Sequence, residues 1–213
     1  MSVLDQPGLL AVMILGGYIL GSIPFGLVLT RIAGYGDIRQ IGSGNIGATN
    51  VLRTGNKPLA ALTLLLDSGK GGAAVLLAGV YSPDPVLPLI AGATAVIGHN
   101  FPVWLKFKGG KGVATIIGTL LAAAWPVGIA VCVAWLMTFL IFRYSSLSSI
   151  VSVGASPVLA WFLTPPPENL ALTIMAGALG GLTIARHHAN IRRLINGEEP
   201  KVGKKKTVPA EPR

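Results

Sequence analysis

From residue 8 to residue 186 the sequence is a succession of apolar runs, near 8–31, 58–80, 87–101, 112–124, 126–142, 147–163 and 168–186. Several approach the ~20 residues needed to cross a bilayer as a helix. Within lipid every backbone N–H and C=O must be satisfied inside the segment, so runs of this kind fold as helices and not as open strands. Of the 213 residues 52% are hydrophobic and only 12% charged, a balance outside that of ordinary soluble domains. The breaks between runs carry residues that end helices: Lys57-Pro58, Ser82-Pro83-Asp84-Pro85, Trp125-Pro126 and Thr164-Pro165-Pro166-Pro167. Proline lacks a donor and clashes with the preceding turn, which is why it punctuates them. The expected fold is an all-α integral membrane protein of about seven transmembrane helices.

The basic residues orient it. With the N-terminus outside, the loops at 32–57, 102–111 and 143–146 and the tail from 186 all lie inside. Apart from Lys70, every Lys and Arg falls in those segments or at their edges, while the outer segments carry only Asp5, Asp84 and Glu168. That is the positive-inside bias. It predicts an outer N-terminus, a cytoplasmic C-terminus and Gly-rich cytoplasmic loops. Residues 1–8 lack the basic cluster of a cleavable signal, so the first apolar run is expected to stay. A single transmembrane domain is expected over 1–199, followed by a basic tail at 200–213 that contains Lys204-Lys205-Lys206. That tail either touches anionic lipid or is solvated. The lone Cys132 excludes a disulfide framework. The net charge of +9 fits anionic headgroups or phosphorylated substrates, and a membrane protein this small rarely serves nucleic acid.

Three polar stretches interrupt this layout, all on the predicted inner side. The first is Ile41 to Arg53, IGSGNIGATNVLR. Gly42, Gly44 and Gly47 permit backbone turns that aim successive N–H groups at one point; Ser43, Asn45, Thr49 and Asn50 add neutral hydrogen-bonding groups, and Arg53 a planar fork of donors. Such a loop suits a phosphate, or it is a polar connector with tight turns. It also satisfies G-x-G-x-x-G with Asp67 about twenty residues on, but no strand pattern precedes it and Asp67 lies in an apolar run, so a dinucleotide site is rejected. The second stretch, Gly98-His99-Asn100-Phe101-Pro102 through Lys108-Gly109-Gly110-Lys111-Gly112, sets glycines and two lysines just before a helix. Helix-start N–H groups and positive charge together favour an anion. The sequence is no Walker loop, and a merely charged connector is the alternative. The third is Arg186-His187-His188-Ala189-Asn190, with Arg193 and Glu199 beyond. Adjacent histidines point to different helix faces, which disfavours a metal held by both, whereas His187 and Asn190 share a face. Ser145, Ser146, Ser148 and Ser149 either bind a headgroup or close a turn. Asp67 and Lys70, at i and i+3 inside the second run, pair either for function or for structure.

Taken together these stretches resemble the bacterial acyl-phosphate-dependent glycerol-3-phosphate acyltransferases. The resemblance rests on Gly21 to Gly26, Gly42 to Arg53, Gly98-His99 through Thr115, Ser146 to Ser149, and His187 to Asn190 with Arg193-Leu194, and it runs from about 16 to 199. It implies a seven-helix membrane fold that moves an acyl group from acyl phosphate to the 1-hydroxyl of glycerol 3-phosphate, giving lysophosphatidic acid and phosphate, with no cofactor and no metal. It implies a bacterial plasma-membrane enzyme acting as a monomer, with acyl phosphate, glycerol 3-phosphate and membrane lipids as partners. By matching position, Ser43, Arg53, Lys111, His187 and Asn190 are expected to be catalytic. Gly42, Gly44, Asn45, Gly47, Thr49, Lys108, Gly109, Gly110, Ser146 and Glu199 are expected to bind substrate, and Lys108 alternatively serves topology alone. The base is left open between His187 and the substrate's own phosphate. A transporter or channel for a phosphorylated solute is the competing class, supported by the broken spans and opposed by the missing internal repeat and the bunching of polar motifs on one side.

Overall fold

A computed structural model describes residues 5–203, so Lys204-Lys205-Lys206 and the rest of the expected basic tail lie outside the described residues. Every regular element among the described residues is helical: α1 Pro7–Gly21, α2 Phe25–Ile32, α3 Ala48–Val51, α4 Lys57–Tyr81, α5 Val86–Asn100, α6 Val113–Ala123, α7 Trp125–Phe142, α8 Ser145–Leu163, α9 Glu168–Arg186 and α10 His188–Ile195. Proline and cap residues set the boundaries. Asn56 caps α4 by accepting the Leu59 N–H at 3.0 Å, with Pro58 in the first turn. Arg143 ends α7 in the left-handed region at φ 62.

Two expectations change. The first apolar run is not one helix: Pro24 begins α2 and removes the donor that would continue α1, so the chain bends at Ser22–Pro24. The run at 112–124 forms only the 11-residue α6, because the chain turns at Ala124 into the new helix that Trp125-Pro126 opens. Among the described residues six segments are long and apolar enough to cross a membrane, with α6 the shorter seventh.

The helices pack as membrane helices do, through small residues that let backbones meet. A β-carbon on Gly21 of α1 would stand 2.0 Å from the Ala95 carbonyl of α5, and one on Gly118 of α6 would stand 1.9 Å from the Ser68 carbonyl of α4. Val153, Leu172, Ala176 and Leu179 lock α8 to α9, while Ala74, Leu87, Ala91 and Ala95 join α4 and α5 under α1. Outward, Leu15, Leu76, Val80, Ile129, Leu140 and Phe162 stay exposed. An apolar outer surface around small, close-packed contacts fits a bilayer and not water.

Candidate active site

The loop from Ala33 to Asn56 is built around one carboxamide. Asn50 is 2% exposed. Its Nδ2 donates to the carbonyls of Ile38 (2.9 Å), Ile41 (2.9 Å) and Asn45 (2.8 Å). Its Oδ1 accepts from the Ser43 N–H at 3.1 Å, the Ser43 hydroxyl at 3.3 Å and the Arg53 guanidinium at 3.1 Å. Asn50 thus ties together the two residues of the loop expected to be catalytic. Gly42 makes the turn possible: at φ 58 it is left-handed, and a β-carbon would fall 2.5 Å from Arg53 and 2.6 Å from Asn50 Oδ1. Below, Leu27, Ile38, Ile46, Val51 and Ala60 form a small apolar core that anchors the loop to α2 and α4. Asp37 closes its start by pairing with Arg39 at 2.6 Å and Arg31 at 3.0 Å, and the hydrogen bond from Arg39 above all holds its carboxyl well below the usual range.

The other groups come from α8, α10 and the residues around them. Thr49 and Ser145 hydroxyls meet at 3.1 Å and join the loop to the start of α8. Lys111 Nζ donates to Asn190 Oδ1. Asn190 Nδ2 in turn donates to Glu199 Oε1 at 2.6 Å, which also accepts from Ser146 at 2.7 Å, while Arg193 pairs with Glu199 Oε2 at 2.6 Å. Burial pushes the Glu199 carboxyl up, but the hydrogen bonds from Ser146, Asn190 and Arg193 prevail and hold it below its ordinary value. Lys111 is lowered to about 8, first by burial and then by the charges of Arg193, Arg53 and Arg186 against the opposing Glu199. His187 is lowered to about 4 by burial and by Lys111. Its Nδ1 lies 2.7 Å from the Thr183 carbonyl, which can only accept, so Nδ1 carries the proton and Nε2 keeps a lone pair. At neutral pH the ring is an uncharged acceptor.

These groups enclose one cavity of about 470 Å3. Ser43, Asn45, Gly47, Thr49, Arg53, Lys111, Ser146, His187, Asn190 and Glu199 all border it, and so do Leu64, Leu65, Ile117, Leu121 and Trp135. The wall therefore combines polar and cationic groups with apolar side chains. Pro200 and Val202, in the stretch expected to begin the tail, complete the wall, and Val202 donates its N–H to the Arg143 carbonyl at 3.0 Å.

A sequence model described as glycerol-3-phosphate acyltransferase matches residues 11–197. The chain belongs to the glycerol-3-phosphate acyltransferase family. A glycerol-3-phosphate acyltransferase of Paramagnetospirillum magneticum is 61% identical over 197 residues, covering 92% of this chain and 96% of its own. One of Rhodospirillum rubrum is 55% identical over 208 residues, covering 94% of each. A crystal structure of PlsY (YgiH), an integral membrane glycerol 3-phosphate acyltransferase, in its glycerol 3-phosphate form superposes with a TM-score of 0.85 at 38% identity, covering 92% of this chain and 96% of that one. Its lysophosphatidic acid form gives 0.83 at 36% identity with the same coverage. The chain is thus an all-helical integral membrane protein of an acyltransferase family.

Within this acyltransferase fold, five residues expected to touch substrate stand away from the cavity wall. Gly42 and Gly44 shape the loop from behind. Lys108 is exposed to solvent. Gly109 and Gly110 do not present free N–H groups: Gly109 donates to the Asn100 carbonyl at 3.2 Å and Gly110 to the His99 carbonyl at 3.0 Å. Their lack of a β-carbon serves packing, since one on Gly110 would stand 2.1 Å from His99 Nε2. Conversely, the sequence reading passed over Asn50 as the organiser of its loop, and over Arg193 as the partner of Glu199. The six-residue spacing of Arg193 and Glu199 across the Asn196-Gly197 turn was the available signal for the latter.

Proposed function

We propose that this protein transfers a fatty acyl group from acyl phosphate to the 1-hydroxyl of glycerol 3-phosphate, releasing lysophosphatidic acid and phosphate. The observation that carries the reading is a single cavity whose wall combines Arg53, Lys111, Ser43, Ser146 and Asn190 with the apolar Leu64, Leu65, Ile117, Leu121 and Trp135. A phosphate and an acyl chain belong to the same molecule in the proposed donor and in the proposed product, and such a lining accommodates both ends. The glycerol 3-phosphate and lysophosphatidic acid forms of the PlsY relative support the same acceptor and product.

The chemistry asks little of the protein. The hydroxyl oxygen attacks the acyl carbonyl, the carbon–oxygen bond to phosphate breaks, and phosphate leaves with the electron pair. Because the donor is a mixed anhydride, the main tasks are to place the hydroxyl and to stabilise growing negative charge. Arg53 and Lys111 supply fixed positive charge, and the Ser43 hydroxyl adds a donor held by Asn50. His187 Nε2 is an acceptor that orients the hydroxyl. With its pKa near 4 it is a weak base, so the hydroxyl proton passes to a substrate phosphate oxygen, whose second ionisation lies near 6.

The enzyme acts as a monomer in the bacterial plasma membrane, N-terminus outside, with the cavity opening toward the cytoplasm and the membrane domain occupying 1–199. The one-sided distribution of Lys and Arg supports that orientation. The test is purified protein in detergent supplied with glycerol 3-phosphate and either acyl phosphate or acyl-coenzyme A. Phosphate release with lysophosphatidic acid from the acyl phosphate alone is expected; turnover of the thioester instead would overturn the donor, and turnover of neither the reading as a whole.

A further inference from the structure

Beneath the cavity lies a charged group that the mechanism does not use. Asp67 and Lys70 stand one turn apart on α4 with side chains 3% and 1% exposed. Lys70 Nζ reaches three acceptors: the Ile23 carbonyl at 2.8 Å, Asp67 Oδ1 at 2.9 Å and His99 Nδ1 at 2.9 Å. The first and third are hydrogen bonds and the second is an ion pair. The ammonium also sits 5.6 Å from the centre of the Phe25 ring. The bend between α1 and α2, α4 and α5 are thereby tied to one nitrogen. An ion pair so deep costs about as much to desolvate as it returns, so stability alone is a poor account of it.

The far edge of the His99 ring supplies the account. Nε2 lies against Gly110, where a β-carbon would be 2.1 Å away, and the Gly110 N–H bonds the His99 carbonyl at 3.0 Å. On the other side Arg186, over the Phe101 ring at 5.2 Å, donates to the Gly109 carbonyl at 3.0 Å and the Gly110 carbonyl at 3.2 Å. The Gly109–Gly110 pair is gripped between His99 and Arg186. The next residue is Lys111, which reaches Asn190 across the cavity.

We infer that Asp67, Lys70 and His99 are positioning residues for Lys111: the ion pair sets the imidazole, the imidazole sets Gly110, and Gly110 aims the lysine. Asp67 and His99 border the cavity, but their side chains are only 3% and 5% exposed, and they act through Lys111 and not on substrate. The inference rests on the acyl-transfer reading of the cavity.

The test is a pair of double-mutant cycles on the full chain in detergent, Lys70→Met and His99→Leu, each alone and combined with Lys111→Ala. Each is read by kcat/KM and, by calorimetry, by the Kd of glycerol 3-phosphate. The single variants are expected to lose about tenfold to a hundredfold, as small misplacements of a substrate-holding group do. In the Lys111→Ala background the same changes are expected to cost less than about twofold, because residues that act through one group are not additive. An equal loss in both backgrounds would make the triad a general structural element and overturn the inference. So would failure of both Lys70→Met and His99→Leu to yield folded protein. If the unaltered protein turns over no acyl phosphate, the functional reading fails by itself, and the calorimetric cycle still decides the coupling to Lys111.

Discussion

Asn50→Asp is an isosteric change with a large expected effect. It keeps the oxygen that accepts from Ser43 and Arg53 but replaces the amide nitrogen with a second oxygen, facing the carbonyls of Ile38, Ile41 and Asn45 at 2.8–2.9 Å. Two donor hydrogens are lost, each worth about 1 kcal/mol net, and at least one buried carbonyl is left without a partner at about 1–3 kcal/mol. A total of about 3–5 kcal/mol corresponds to roughly a hundredfold to a few thousandfold, at 1.4 kcal/mol per tenfold. Every side-chain partner of Asn50 lies between Ile38 and Arg53, so the cost falls on the loop and not on the helices beneath it. The equilibrium constant for holding Ser43 and Arg53 in place should fall by that factor, and kcat/KM with the closed population, while the thermal midpoint stays close to that of the unaltered protein. Limited trypsin digestion reports the same event separately, since Arg39 and Arg53 flank the released segment and should be cut faster. An Asn50→Asp protein that keeps its kcat/KM within about twofold and resists trypsin as before would refute the role assigned to this carboxamide.

Three further outcomes follow from the site. Arg53→Ala and Lys111→Ala should each lower kcat/KM about 10²–10³-fold with unchanged helical circular dichroism, the loss typical of removing a charge-stabilising donor; full turnover by a folded Arg53→Ala protein would exclude that residue. Burial, and then the nearby arginines against Glu199, place the Lys111 pKa at about 8, so its charged form is complete below that pH and is lost above it. The kcat/KM profile should therefore fall above about pH 8, and Lys111→Arg, which stays charged, should move that limb upward. Gly110→Ala forces a methyl to 2.1 Å from His99 Nε2 and should cost about 1–3 kcal/mol of stability, seen as a lowered thermal midpoint in detergent.

The helices were legible because lipid leaves so few choices: apolar runs long enough to span and prolines that stop them are direct statements about backbone hydrogen bonding. Pro24 was equally visible, yet the run from 8 to 31 reads as continuous because hydropathy does not change across it; the bend is a backbone event. At the site, Ser43, Arg53, Lys111, His187 and Asn190 do border one cavity, as hydroxyl, carboxamide and cationic groups on one side of the chain suggested. The glycines were harder. Gly42 turns the chain as its type implies, but whether an N–H points at a ligand or at a neighbouring carbonyl depends on what packs beside it. For Gly109 and Gly110 the neighbour is His99-Asn100, and no local pattern announces it. Asn50 was hidden for a related reason. A carboxamide among four polar residues becomes the hub only once the loop closes around it.

The shortness of α6 sets where Lys111 meets the cavity. α6 has 11 residues and α7 has 18. At 1.5 Å per residue these are about 16 and 27 Å long. The two run back to back from the turn at Ala124: Gly128 of α7 fits against Leu121 of α6, where a β-carbon would be 2.6 Å from its backbone. α7 then climbs to Arg143 and Ser145, at the level of the polar loops, so the start of α6 must lie about 10 Å lower than the end of α7. The start of α6, with Lys111 and Gly112 just before it, is therefore set below the end of α7, and it shares a cavity wall with Leu64, Leu65 and Trp135. A lysine side chain is long enough to climb from there to Asn190. A helix as long as α7 at this position would raise Lys111 by about 10 Å and carry it off that shared wall.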